Sequence, residues 1–172
     1  DVIIAPDMGR TALGESGSNA LKEWVQNGGT LIATGSAARG VGATIAEVKL
    51  REEPKEPDSS RIARALMGRE AREELQWQEQ VPGAILSVRL DPAHPLAFGA
   101  GVAADSTRLY VVHSGGQVFE PDPAFESVGH FTAELEKVSG VISPRVLDRL
   151  ERGSWLGGRD LGGGKVLPFL AG

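Results

Sequence analysis

Residues 21–40 read LKEWVQNGGTLIATGSAARG, and the parsing of this stretch decides the fold. Ala20, Leu21, Trp24 and Val25 recur at the spacing of one helix face, with Ser18 or Asn19 placed to cap the helix start. Asn27-Gly28-Gly29 ends that helix, because glycine reaches left-handed conformations without steric cost. TLIAT at 30–34 then reads as a strand. Upstream, VIIAPD at 2–7 is a continuous apolar run closed by proline, the pattern of a strand buried on both faces of a parallel sheet. Strand, helix and strand over this length make a βαβ unit, whose crossover is right-handed and whose strands are parallel.

Outward from this unit the pattern is set by turn residues. Residues 41–48 fit either a short helix or a strand, and REEPKEP at 51–57 is a charged, proline-bearing loop. Residues 60–80 read as one helix, with Ile62 and Leu66 four apart, Met67, Ala71 and Leu75 likewise, and Arg69 placed to pair with Glu73. Pro82-Gly83 breaks it. Residues 84–90 alternate as a strand, 109–113 (LYVVH) form another, and 118–120 a short one. Ser143-Pro144 is a strong helix start, followed by inward-facing Val146, Leu147 and Leu150 and stopped at Gly153. SWLGGRDL and KVLPFLA, joined through Gly162-Gly163-Gly164, make a C-terminal β-hairpin.

The chain has 172 residues, 41% hydrophobic and 24% charged, which suits one domain with one core. Twenty-three acids against eighteen bases give a net charge of −5, which argues against nucleic acid or an anionic membrane as partner. There is no cysteine, so disulfides, thiolate metal sites and a cysteine nucleophile are excluded. No apolar run is long enough to span a bilayer as a helix. The chain begins directly on an apolar strand with Asp1 and ends as abruptly, so it reads as a piece of a longer protein.

Three chemical readings compete for LIATGSAARG at 31–40. In the first, Ser36 is a nucleophile on a strand-to-helix turn, with His113 as its base and Asp7 as the orienting acid. The elbow pattern G-x-S-x-G is not met, since the residues are Thr34-Gly35-Ser36-Ala37-Ala38. In the second, Gly35, Ser36 and Arg39 cradle a small anion or nucleotide phosphate after a parallel strand. In the third, a strand simply ends and Ser36 caps the next helix or hydrogen-bonds its own loop. Gly164-Lys165 fails as a phosphate loop, because Arg159 stands where its first glycine belongs. None of the three histidines has a glutamate three residues on, as a zinc-carboxypeptidase site requires. His130 and Glu134, four apart, are two ligands and not a site.

VIIAPD, LKEWVQNGGTLIATGSAA, PGAILSVRLDPAHPLAFGAG, GHFTAELEKVSGVISPRVLDRL and LGGGKVLPF together resemble the class I glutamine amidotransferase-like domain found C-terminal to the catalytic domain of bacterial zinc-carboxypeptidase-type proteins. The resemblance spans nearly the whole chain and is most specific over PGAILSVRLDPAHPLAFG. It implies a three-layer α/β fold with a mostly parallel, flavodoxin-like sheet, and a single domain clipped at both ends. Active amidotransferases of this class use a cysteine on the elbow and a histidine and glutamate two residues apart; none of these is present here. The resemblance therefore implies a non-catalytic accessory domain, with no cofactor and no metal of its own. Its partner would be the catalytic domain of its own parent protein, in an extracytoplasmic setting. Exposed sheet edges add the expectation of a homodimer.

Overall fold

The computed structural model describes residues 1–7, 13–51, 57–79, 81, 83–100, 107–132 and 137–170. A strand at Val2–Ala5 (β1), a helix at Gly14–Gln26 (α1) and a strand at Thr30–Thr34 (β2) form the first unit. β1 and β2 pair in parallel, from Val2 opposite Thr30 to Ala5 opposite Ala33. The helix starts earlier than the capping residues suggested: the Ser18 hydroxyl donates to the Gly14 carbonyl at 2.9 Å, inside the helix. At its other end, the Gly28 and Gly29 amides donate to the carbonyls of Val25 and Trp24.

After β2 the backbone coils through Gly35–Ala37 (α2), a π-turn at Ala38–Gly42 and Ala43–Ala46 (α3), so the ambiguous segment at 41–48 is helical as far as Ala46, where Glu47 ends it in a left-handed conformation. Two helices come next, Asp58–Leu66 (α4) and Arg69–Glu79 (α5). The single helix expected over 60–80 is interrupted at Met67, whose backbone is extended, beside the poor helix former Gly68. The expected Arg69–Glu73 pair forms at 2.8 Å on α5. The remaining elements are the strands Gly83–Leu90 (β3), Arg108–His113 (β4), Glu126–Phe131 (β5) and Lys137–Val141 (β6), the helix Pro144–Leu150 (α6), and the strands Ser154–Leu161 (β7) and Gly164–Phe169 (β8). The expected strand at 118–120 is reduced to Phe119, which bridges Leu50 and Ser154.

The strands form one sheet in the order β1-β2-β8-β7-β5-β3-β4, with β6 also paired to β3. Among the described residues, parallel pairing is confined to β1–β2 and β2–β8, and every other pair is antiparallel. This corrects the expected three-layer, mostly parallel, flavodoxin-like sheet of the amidotransferase type: the sheet is mixed and curls into a half-barrel. A parallel sheet needs helices on both faces. β3 instead has Ala84, Leu86, Val88 and Leu90 buried on one face and Ile85 and Arg89 exposed on the other, with the small Ser87 buried between them, which is the pattern of an antiparallel strand whose second face is partly open. β1 departs from expectation in the same way: it is an edge strand with Val2, Ile3 and Ile4 exposed and only Ala5 buried.

The core is one large cluster of buried side chains with a smaller one beside it. Leu31 and Ala33 of β2, Val166 of β8, Leu86 and Val88 of β3, Val111 of β4 and Phe131 of β5 belong to one buried cluster with Val146 and Leu150 of α6. Each large side chain in this set contributes about 1.5–3 kcal/mol by leaving water. α6 starts as its sequence predicts, with the Ser143 hydroxyl accepting from the Val146 amide at 3.3 Å and Pro144 in the first turn. Its last turn is held by Arg51, whose guanidinium donates to the Glu151 carbonyl at 2.7 Å. β7 and β8 form the closing hairpin across the 162–163 turn.

Candidate functional site at the strand-to-helix elbow

Parallel register brings the elbow residues together. Because Ala5 lies opposite Ala33, the chain running on past β1 reaches the level of the residues just after β2. Gly35 turns the backbone out of the sheet with φ of 56°, a left-handed conformation in which a side chain is strained. This presents the Ser36 amide and hydroxyl to the end of β1. Both donate to the same oxygen of Asp7, the amide at 3.0 Å and the hydroxyl in a shorter contact. The Ser36 hydroxyl, then its amide, hold the Asp7 carboxyl below the usual carboxylate range, and the charge of Arg39 adds to this. Asp7, Ser36 and Arg39 are thus one electrostatic group, and Gly35 supplies its turn.

His113 ends β4 on the same face as Leu109 and Val111, so the pleat turns it into the core. It is fully buried, with its ring edge-on to Phe131 at 5.3 Å between centroids. Neither ring nitrogen has a hydrogen-bond partner. Burial pushes its pKa down to about 4, and the nearby Arg39 charge pushes in the same direction. The Leu170 main chain pulls the other way without the geometry of a hydrogen bond. The three residues expected to form a catalytic relay are therefore joined differently: serine bonds directly to the acid, and the histidine bonds to neither.

The chemistry of the elbow is set by this arrangement. A serine hydroxyl becomes a nucleophile when a base with a pKa near neutrality takes its proton. Asp7, with its pKa lowered, is a poor base at neutral pH, and His113 does not touch the hydroxyl. An anion seeking the Ser36 amide meets a carboxylate already in that place. Removing the carboxylate should therefore destabilise the elbow: Asp7→Ala is expected to lower the thermal midpoint, and Asp7→Asn, which keeps an acceptor but loses the charge, to lower it less. Melts of the three proteins at neutral pH test this, and equal midpoints for Asp7→Ala and wild type would refute the cap.

The other histidines have structural surroundings. The His94 Nδ1 accepts from the Leu96 amide at 3.1 Å, which leaves Nε2 to face Glu126 at 3.2 Å, with Lys165 on the same carboxylate at 3.8 Å. His130 lies on β5 opposite Arg89, and burial first, then that charge, lowers its pKa. Its suggested partner Glu134 falls outside the described residues. Among the described residues, no group of three or more His, Asp or Glu is placed to hold a metal ion, and no helix is long and apolar enough to cross a membrane.

No family model and no curated protein matches the chain. Solved structures similar to it include the following two. One is the β-galactosidase from Bacillus circulans sp. alkalophilus, at a TM-score of 0.51 and 12% identity, covering 99% of this chain and 20% of that one. The other is a cytoplasmic protein from Salmonella typhimurium, at 0.44 and 15%, covering 99% of this chain and 60% of that one. The chain thus spans about a fifth of the length of the β-galactosidase. At this identity the likeness is one of fold alone: the curled mixed sheet occurs as one part of a much larger chain.

Proposed function

We propose that this chain is a non-catalytic accessory module of a larger protein, one that lends a surface for interaction or substrate positioning to the catalytic domain of its parent. The observation that carries this reading is the Asp7–Ser36 contact. The carboxylate sits on the donors that either a nucleophilic serine or an anion cradle would have to leave open. The isolation of the buried His113 from Ser36 supports it further. A parent of the zinc-carboxypeptidase type is part of the proposal on the strength of the sequence resemblance, with its zinc ligands upstream of these residues. The elbow is tested by treating the chain with a fluorophosphonate, which modifies activated serines, and reading intact mass. No adduct is expected at neutral pH, and stoichiometric labelling of Ser36 would overturn the reading.

A further inference from the structure

Away from the elbow, two apolar surfaces are exposed among the described residues, and they match each other. The first is the helical arm of α4 and α5, where Ile62 and Leu66, one turn apart, are 59% and 82% exposed, and Trp77 is 53% exposed. α4 has no buried residue at all. The second is the outer face of the sheet at β3, β4 and β6. There Ile85 lies opposite Val112, the buried Ser87 opposite Tyr110, and Gly83 opposite Val141, so the exposed Ile85, Val112, Tyr110 and Val141 share one face around Ser87. Tyr110 and Val112 are 53% and 56% exposed. An amphipathic helix and an open sheet face each need a cover, and contiguous exposed apolar patches mark interaction sites.

Charge says what the cover is. The sheet patch ends in the exposed Arg89, which lies opposite Arg108 across β3 and β4. On α5, Glu70, Glu74 and Trp77 stand at i, i+4 and i+7 on one helix face, while Arg69 is already occupied by Glu73. Glu70 lies about 10 Å along the helix from Trp77. Arg108 lies about 7 Å along its strand from Tyr110 and about 13 Å from Val112. A helix laid along β4 thus sets Trp77 over Tyr110 and Val112 while the carboxylates reach Arg89, at the same register as Arg108.

We propose that the α4–α5 arm of one copy docks on the outer β3–β4–β6 face of a second copy, and that the reciprocal contact closes a two-fold dimer. Two-fold closure uses both surfaces of both copies and leaves neither exposed. Trp77 is the anchor, since buried aromatic residues dominate such contacts, and the Glu–Arg pairs set its register. This interface is independent of the accessory reading and adds the partner that fits these surfaces.

Light scattering on the size-fractionated chain is expected to give twice the 18.1 kDa monomer mass. Trp77→Glu and Val112→Glu should each weaken the dimer by about tenfold or more. Mixing the two variants should restore it in part, because the intact arm of one fits the intact face of the other and so one of the two reciprocal contacts is native. Glu74→Arg and Arg89→Glu should each weaken association and, mixed or combined, recover it. A wild-type chain that stays monomeric at the highest attainable concentration overturns the proposal. So does a dimer that survives Trp77→Glu and Val112→Glu but is broken by Ile4→Arg, which would assign association to the β1 edge.

Discussion

Replacing Gly164 with alanine is expected to cost more than about 4 kcal/mol, most of the stability of a domain at the low end of the ordinary range of about 5–15 kcal/mol. A Cβ at this first residue of β8 would lie 2.1 Å from the Gly29 carbonyl oxygen and 2.2 Å from that of Val25. Both atoms are backbone, so no side-chain rotation relieves the overlap. The hairpin would have to lift off the end of α1, breaking the Gly163 amide bond to Gln26 at 2.9 Å and the Lys165 amide bond to Gly29 at 3.2 Å. Those bonds tie the antiparallel part of the sheet to its parallel part. Gly40→Ala is the control: it sits in the helical turn after the elbow with nothing within 4 Å of the added carbon. It should be neutral or stabilising by up to about 1 kcal/mol. Denaturant unfolding of both variants checks the pair, and a Gly164→Ala protein as stable as wild type would mean that the hairpin does not pack on α1 as described.

The second large effect is a dependence of stability on pH carried by His113. Its pKa falls from 6.5 to about 4 on folding, so between these values the unfolded chain binds the proton and the folded chain does not. Acid therefore favours unfolding: the contribution is fully present above about pH 6.5 and is lost as pH drops toward 4. Over the whole window it amounts to about 3 kcal/mol, and between pH 7 and pH 5 to about 2 kcal/mol. The depressed carboxyls of Asp7 and Glu47 lose their contributions in more acid solution, which keeps the two effects separable. His130 acts in the same direction as His113 but is only half-buried. His113→Leu should flatten the dependence by about 2 kcal/mol between pH 7 and pH 5. It should not lower stability at pH 7, since it also removes two buried nitrogens that lack partners. Parallel slopes for variant and wild type would contradict this.

Several elements were legible in the residues themselves. The helix face at 20–25 with its Asn-Gly-Gly stop, the Ser143-Pro144 helix start and the hairpin about Gly162 each carry a local physical cause, and each is present. The sheet type was also written in the sequence, in the alternation of β3, but the continuous apolar runs of β1 and β2 outweighed it. β5 and β6 left little trace: ESVGHF and KVSGV carry glycine and polar residues, and their pairings are bulged. At the site, the candidates Asp7, Ser36 and Arg39 do converge, because parallel register places the ends of β1 and β2 side by side. What was not legible was the role of His113. Its parity with Leu109 and Val111 points it inward, yet only the packed structure shows that neither ring nitrogen is hydrogen-bonded there.

Occupation of the elbow by the Asp7 carboxylate is read most directly from the Ser36 amide resonance of the wild-type chain. Titrated with inorganic phosphate at neutral pH and constant ionic strength, that resonance is expected to show no saturable shift up to tens of millimolar, because Asp7 already accepts from the amide. A saturable shift centred on Ser36, Gly35 and Arg39 would show instead that the elbow is an open anion site.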